Sequence, residues 1–205
     1  MKEKKIMELV MILDESGSMY GMEKDVIGGY NRLLEENKNG EYEVYVTTVT
    51  FSNNYRIVVD RENIADVKPL EANDYRPDGC TALLDTVGDI VGHISTIHRY
   101  LPDEAKVDKT VVAITTDGEE NSSHRYTYQE ISKLLKTKQK EGWEVLFLAA
   151  NIDAEAAARK YGIDAEKSVN YSNTPDGYMR MMKGISKAVK NLMSEDSVGD
   201  WKDEI

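Results

Sequence analysis

The run from Ile6 to Leu13 is short, almost entirely apolar, and ends abruptly at Asp14. Such a segment does not alternate polar and apolar residues, so it suits a strand buried on both faces, as in a parallel sheet covered by helices. Thr110 to Thr115 and Trp143 to Ala149 repeat the pattern, and Lys167 to Tyr171 predicts a last short strand. Between them, apolar residues recur at helical spacing. Met22, Val26, Ile27, Tyr30, Leu33 and Leu34 form one set, ended by Asn39-Gly40. Leu83, Val87, Ile90, Ile94 and Ile97 form a second, and Tyr128, Ile131, Leu134 and Leu135 a third that stops near Gly142. Ala154 to Tyr161 predicts a short helix, and Met179, Met182, Ile185, Val189 and Met193 a closing one.

Strands alternating with helices predict a doubly wound α/β fold, with a mainly parallel central sheet and helices on both faces. Residues 43–59 are β-rich around Asn53-Asn54 and read as an early hairpin, which adds one antiparallel edge strand. Residues 60–80, with Pro69, Pro77 and Gly79, read as a long loop. The expectation is one domain over residues 1–193, followed by an acidic tail over 194–205 that is loosely ordered, with Trp201 able to dock on the body.

The hydrophobic share of 40% provides for an ordinary core. The net charge of -11 argues against binding nucleic acid or an anionic membrane through bulk electrostatics. No stretch approaches the roughly 20 apolar residues that span a bilayer. Residues 1–5 are basic, but Glu8 interrupts the apolar run after them and Asp14 ends it, so the N-terminus reads as a first strand and not a signal peptide. Cys80 is the single cysteine, which excludes an internal disulfide and favours a reducing, cytoplasmic location.

In open α/β sheets, ligands bind beyond the carboxyl ends of the strands. Three segments at predicted strand or helix ends carry small oxygen donors: Asp14-Glu15-Ser16-Gly17-Ser18, Asp78-Gly79-Cys80-Thr81, and Thr116-Asp117-Gly118. Singly, each has an ordinary explanation as a turn or a helix cap. Jointly they make a hard, all-oxygen donor set of two carboxylates and three hydroxyls, suited to Mg2+, Mn2+ or Ca2+ and poorly suited to Zn2+. Gly17 permits close backbone approach or a positive φ in the turn.

This pattern resembles the metal-ion-dependent adhesion site of von Willebrand factor A domains, over roughly residues 5–193. Asp14, Ser16 and Ser18 match that family's Asp-x-Ser-x-Ser run, Thr81 its isolated Thr, and Asp117 its later Asp. The resemblance implies a Mg2+ ion (alternatively Mn2+ or Ca2+) held by these five residues. It implies that Ser16, Ser18 and Thr81 bind directly and Asp14 and Asp117 often through water, with Thr81 engaged in one conformational state. It further implies a protein partner that presents an acidic residue to the metal's open position.

Glu15, Gly17, Asp85, Gly118 and Glu119 are candidates for the rim or outer shell. Each also has a plain structural role available, Asp85 as favourable charge near a helix N-terminus. The function expected is a metal-dependent protein-binding module, a stand-alone adaptor of a bacterial or phage system, and not an enzyme. The alternatives are a Mg2+-dependent hydrolase of phosphate esters or an accessory subunit with an ATPase partner. The hydrolase reading lacks a second Asp, since Ser16 stands two residues after Asp14, and the chain has no Gly-x-x-x-x-Gly-Lys-Ser/Thr loop.

Overall fold

A computed structural model describes residues 5–205; residues 1–4, most of the basic N-terminus, lie outside it. The elements in chain order are β1 (Lys5–Asp14), α1 (Glu23–Asn37), β2 (Tyr42–Phe51), β3 (Tyr55–Asn63), α2 (Leu83–Tyr100), β4 (Lys109–Thr116), α3 (Tyr128–Lys140), β5 (Trp143–Ala149), α4 (Ala154–Tyr161), β6 (Ser168–Asn170) and α5 (Pro175–Glu195). The strands form one sheet in the order β3-β2-β1-β4-β5-β6. All neighbouring pairs are parallel except β2 with β3. The doubly wound architecture with one antiparallel edge is therefore as the sequence predicts.

β1 explains why the sheet needs helices on both sides. Alternate side chains of a strand point to opposite faces. Met7, Leu9, Met11 and Leu13 pack with Val26, Tyr30 and Leu33 of α1 and Met181, Ile185 and Val189 of α5. Val10 and Ile12 face the other way, towards Val87, Ile90 and Ile94 of α2 and Ile131 of α3. The chain leaves β1 for β2 on one side and reaches β4 on the other. Such a reversal of strand order opens a crevice at the carboxyl ends.

Several boundaries differ from the periodicity for local reasons. β3 runs on to Asn63 past a register irregularity, and Arg61 there takes a φ of 50°. Residues 64–82 are a loop, but Val67, Leu70 and Tyr75 bury against the α1 and α5 side of the sheet. α5 begins at Pro175 because Thr174 accepts from the Gly177 N–H, a cap with Pro in the first turn. At α3, Thr127 and Glu130 form a capping box.

Residues of the tail, expected to be loosely ordered, fold back on α5, where Val198 and Trp201 are buried and Ile205 lies against Gly184. Its acidic residues meet α5 lysines: Lys183 with Glu204 at 2.8 Å and Lys187 with Asp200 at 3.2 Å. Opposite charge and one large apolar side chain order a segment whose composition reads as loose. Among the described residues, no helix is long and apolar enough to cross a membrane.

Candidate metal centre

β1 delivers Asp14 to the carboxyl edge of the sheet, and the following turn carries Ser16, Gly17 and Ser18. The neighbouring strand β4 delivers Thr116, with Asp117 directly after it. Parallel pairing sets Leu13 opposite Thr115, so Asp14 and Asp117 emerge side by side although they lie 103 residues apart in sequence.

Hydrogen bonds join the residues into one cluster. Ser16 N–H donates to Asp14 Oδ1 at 2.8 Å, and Thr116 Oγ1 donates to Asp14 Oδ2 at 2.6 Å. The Ser16 and Ser18 hydroxyls are 3.1 Å apart, and Ser18 Oγ donates to Asp117 Oδ1 at 2.5 Å. Asn173 Nδ2 donates to Asp117 Oδ2 at 3.3 Å. Asp14, Ser16 and Asp117 are buried, while Ser18 is exposed. Four of the five expected ligands thus meet directly.

Thr81 is brought alongside by its backbone. Gly17 N–H donates to Gly79 O at 3.0 Å, Thr81 N–H donates to Asn121 Oδ1 at 2.8 Å, and Asn121 N–H donates to Thr81 O at 3.1 Å. Its hydroxyl takes part in none of the cluster's bonds. Two glycines make this convergence possible. A Cβ on Gly17 would stand 3.3 Å from Gly79 O, and Gly79 itself takes a φ of +75°. Gly17 serves by close approach and not by positive φ, settling the two uses the sequence allows.

The rim candidates separate. The Glu15 carboxylate turns away, accepting from Arg76 N–H and pairing with Arg56 at 3.5 Å. Asp85 does not touch the cluster: it accepts from the backbone N–H groups of His124, Arg125 and Tyr126 at 2.9, 2.9 and 3.0 Å. Burial pushes its carboxyl upward, but those three bonds and the Arg125 charge outweigh it and hold it below the usual value. Gly118 accepts from Thr116 Oγ1 at 3.1 Å, and Glu119 is exposed beside the Asp117 turn.

Residues that periodicity did not single out complete the site. Thr116, Asn121 and Asn173 supply the contacts above. Tyr75 donates its hydroxyl to Asp14 O, and Glu120 accepts from Leu84 N–H at 2.9 Å, pinning the start of α2 to the Asp117 loop. Thr116 adjoins a motif residue and was open to inspection. Glu120 and Asn121 follow Asp117 in the same loop, whereas Tyr75 and Asn173 come from distant loops without any local signature.

The electrostatics are one-sided. Asp14 lies above the ordinary carboxylate range, first because of burial and also because of the Asp117 charge; hydrogen bonds from Ser16 and Thr116 offset part of this. Nearby cations are engaged elsewhere, Arg56 by Glu15 and Arg125 by Asp85 and Asp89. Among the described residues, no Lys, Arg or His pairs with Asp14 or Asp117. Buried carboxylates that have neutral partners and lack a counter-charge leave room for a cation. Among the described residues there is no group of three or more His, Cys, Asp or Glu placed to hold a metal, which leaves two carboxylates plus hydroxyls as the donor chemistry.

This sheet, parallel but for one edge pair and covered by helices on both faces, has the fold of von Willebrand factor A domains. Solved structures bear that out. The chain superposes on the vWF domain of the type V pili tip protein Mfa5 from Porphyromonas gingivalis with a TM-score of 0.67 and 10% identity, covering 94% of this chain and 97% of that one. It is similar to proximal thread matrix protein 1 of the mussel byssus (TM-score 0.63, 16% identity, 89% and 45% covered), a protein also solved with a zinc-occupied MIDAS motif. A von Willebrand factor type A structure from Catenulispora acidiphila gives a TM-score of 0.62 at 15% identity, with 92% and 43% covered. The chain spans less than half the length of the last two. No family model and no curated protein matches its sequence.

Proposed function

We propose that the chain is a metal-dependent protein-binding module in which Asp14, Ser16, Ser18, Thr81 and Asp117 hold a divalent cation. The observation that carries the reading is the pair of buried carboxylates, Asp14 and Asp117, bridged by neutral hydroxyls and left without a protein cation. The donors are hard oxygens, which favours Mg2+, with Mn2+ and Ca2+ as alternatives. The zinc-occupied motif of the mussel protein supports a divalent ion in this fold.

Bound there, the ion would supply an electrophilic position for a carboxylate of a partner protein. The chain's own residues do the rest. Asp14 and Asp117 balance a charge of two, and Thr116 and Asn173 fix the rotamers of those carboxylates. Ser18 stands at the surface, and Thr81, whose hydroxyl is uncommitted, completes the set. Tyr20, 81% exposed beside this loop, offers an aromatic rim to a partner.

The partner would present an acidic residue, and a subunit of an ATPase complex fits that description. Cytoplasmic placement in a bacterial or phage system belongs to the same proposal, resting on the exposed free thiol of Cys80. The test is a pull-down from the native host. A protein retained in Mg2+, released by chelator and not retained by Asp14→Ala is the expected outcome. Retention that ignores both changes would refute it, and Mg2+-dependent hydrolysis of a phosphate ester, lost in Asp14→Ala, would establish the enzyme instead.

A further inference from the structure

A hollow away from the candidate metal centre lies between α3 and α4. It has a volume of about 930 Å³ and is lined by Tyr128, Ser132, Lys133, Lys136, Lys140 and Lys160, among others. Lys133, Lys136 and Lys140 follow at spacings of three and four, so they form one stripe on α3, roughly 10 Å long at 1.5 Å per residue. Lys160 faces them from the last turn of α4. All four are exposed.

Other cations on these helices are neutralised: Lys138 pairs with Glu141 at 2.7 Å and Arg159 with Glu155 at 3.1 Å. Among the described residues, no carboxylate pairs with Lys133, Lys136, Lys140 or Lys160. Like charges three and four apart on a helix destabilise it. Favourable position near a helix C-terminus accounts for Lys140 and Lys160 singly. It does not account for their meeting Lys133 and Lys136 in one groove, on a chain of net charge -11.

We infer that this groove binds a short acidic polypeptide segment of a partner protein. The lysines offer ammonium groups to carboxylates, and their stems with the half-exposed Tyr128 ring offer apolar surface. Ser132 and Gln129 supply polar groups for a peptide backbone. The length suits about three extended residues at ~3.3 Å each. A nucleic acid fits less well. The groove continues through Tyr128 and Lys160 into a smaller cleft lined by Glu119, Glu120 and Asp153. A longer polyanion that ran on into that cleft would meet those carboxylates, whereas a segment of about three residues matches the lysine stripe.

The inference stands on the groove alone and needs no metal, so its test is run in chelator. The probe is a fluorescein-labelled triglutamate peptide, followed by fluorescence anisotropy with the whole chain. Saturable binding that weakens with salt is expected. It should weaken about tenfold or more in Lys133→Glu/Lys136→Glu/Lys140→Glu, and measurably in Lys160→Glu. Lys24→Glu/Lys68→Glu, which reverses two exposed lysines outside the groove, should leave it unchanged. Should the triple variant melt early, Lys160→Glu alone decides. No binding, equal loss in the control variant, or tighter binding of a labelled trithymidylate than of the peptide would overturn the inference.

Discussion

β1 carries two buried carboxylates six residues apart, on the same face of the sheet, and the protein treats them oppositely. Glu8 is fully buried near the strand's beginning, where Arg61 Nε lies 3.0 Å and His98 Nε2 3.4 Å from its Oε2. Asp14, at the strand's end, has only hydroxyl and backbone N–H donors, with a second carboxylate for a neighbour. α2 links the two ends, beginning just after Thr81 and carrying His98 near its close. The first carboxylate is neutralised from within the fold. The second is held in place by neutral donors with no counter-charge among the described residues, and under the proposed function an external cation would neutralise it.

Removing the counter-ion tests the first half of the contrast. Arg61→Met should leave Glu8 buried without its main partner and lower unfolding stability by about 3–5 kcal/mol in urea denaturation. A loss within about 0.5 kcal/mol, the range of ordinary surface changes, would show that Glu8 is not compensated as described.

The second half predicts a smaller but opposite response. In Mg2+ or Mn2+ at a hundred times its Kd, the wild-type chain should gain about 2.7 kcal/mol, seen as a raised Tm. Asp14→Asn should lose that gain. In chelator it should melt at or above the wild-type temperature, because a desolvated, uncompensated charge has been removed. If Asp14→Asn in chelator is as damaging as Arg61→Met, the two carboxylates are not opposites.

The weakest effect is on pH. The Asp14 carboxyl is raised in the folded chain. In the metal-free protein, its contribution is therefore stabilising below the unfolded value near 3.8 and is lost as pH rises through the folded value. Metal requires the carboxylate, so the gap between metal-loaded and metal-free stability should widen over that same rise. Apparent affinity should fall about tenfold per pH unit below the folded value, starting at a higher pH than for an ordinary Asp. A metal-induced Tm shift that is flat down to pH 4 would contradict this.

The legibility of the two regions differed as much as their chemistry. Asp14, Ser16 and Ser18 lie within five residues, and Thr81 and Asp117 sit at element ends that hydrophobic patterning locates, so the candidate set is legible in the chain, and four of its members meet in one cluster. The Glu8 cluster is not legible. Arg61 is 53 residues away and His98 is 90, and in the sequence Glu8 looks like an interruption in an apolar run. Asn173 and Tyr75 stayed hidden for the same reason, since the loop before α5 and the long 64–82 segment reach the site without a motif. Asp85 has two readings in the sequence, a rim contact or helix N-terminal charge, because helical spacing after Thr81 says nothing about which loop will cross its face.

By itself the sequence determined the strand and helix alternation, the antiparallel edge and the types of donor atom at the strand ends. Those features come from periodicity and side-chain chemistry, which are local. Only the tertiary structure decided which carboxylate has a counter-charge, which Thr hydroxyl is left free, and whether the acidic tail is loose or docked. Each depends on distances between residues far apart in the chain, and the electrostatic cost of burial is settled by those neighbours and by no single residue.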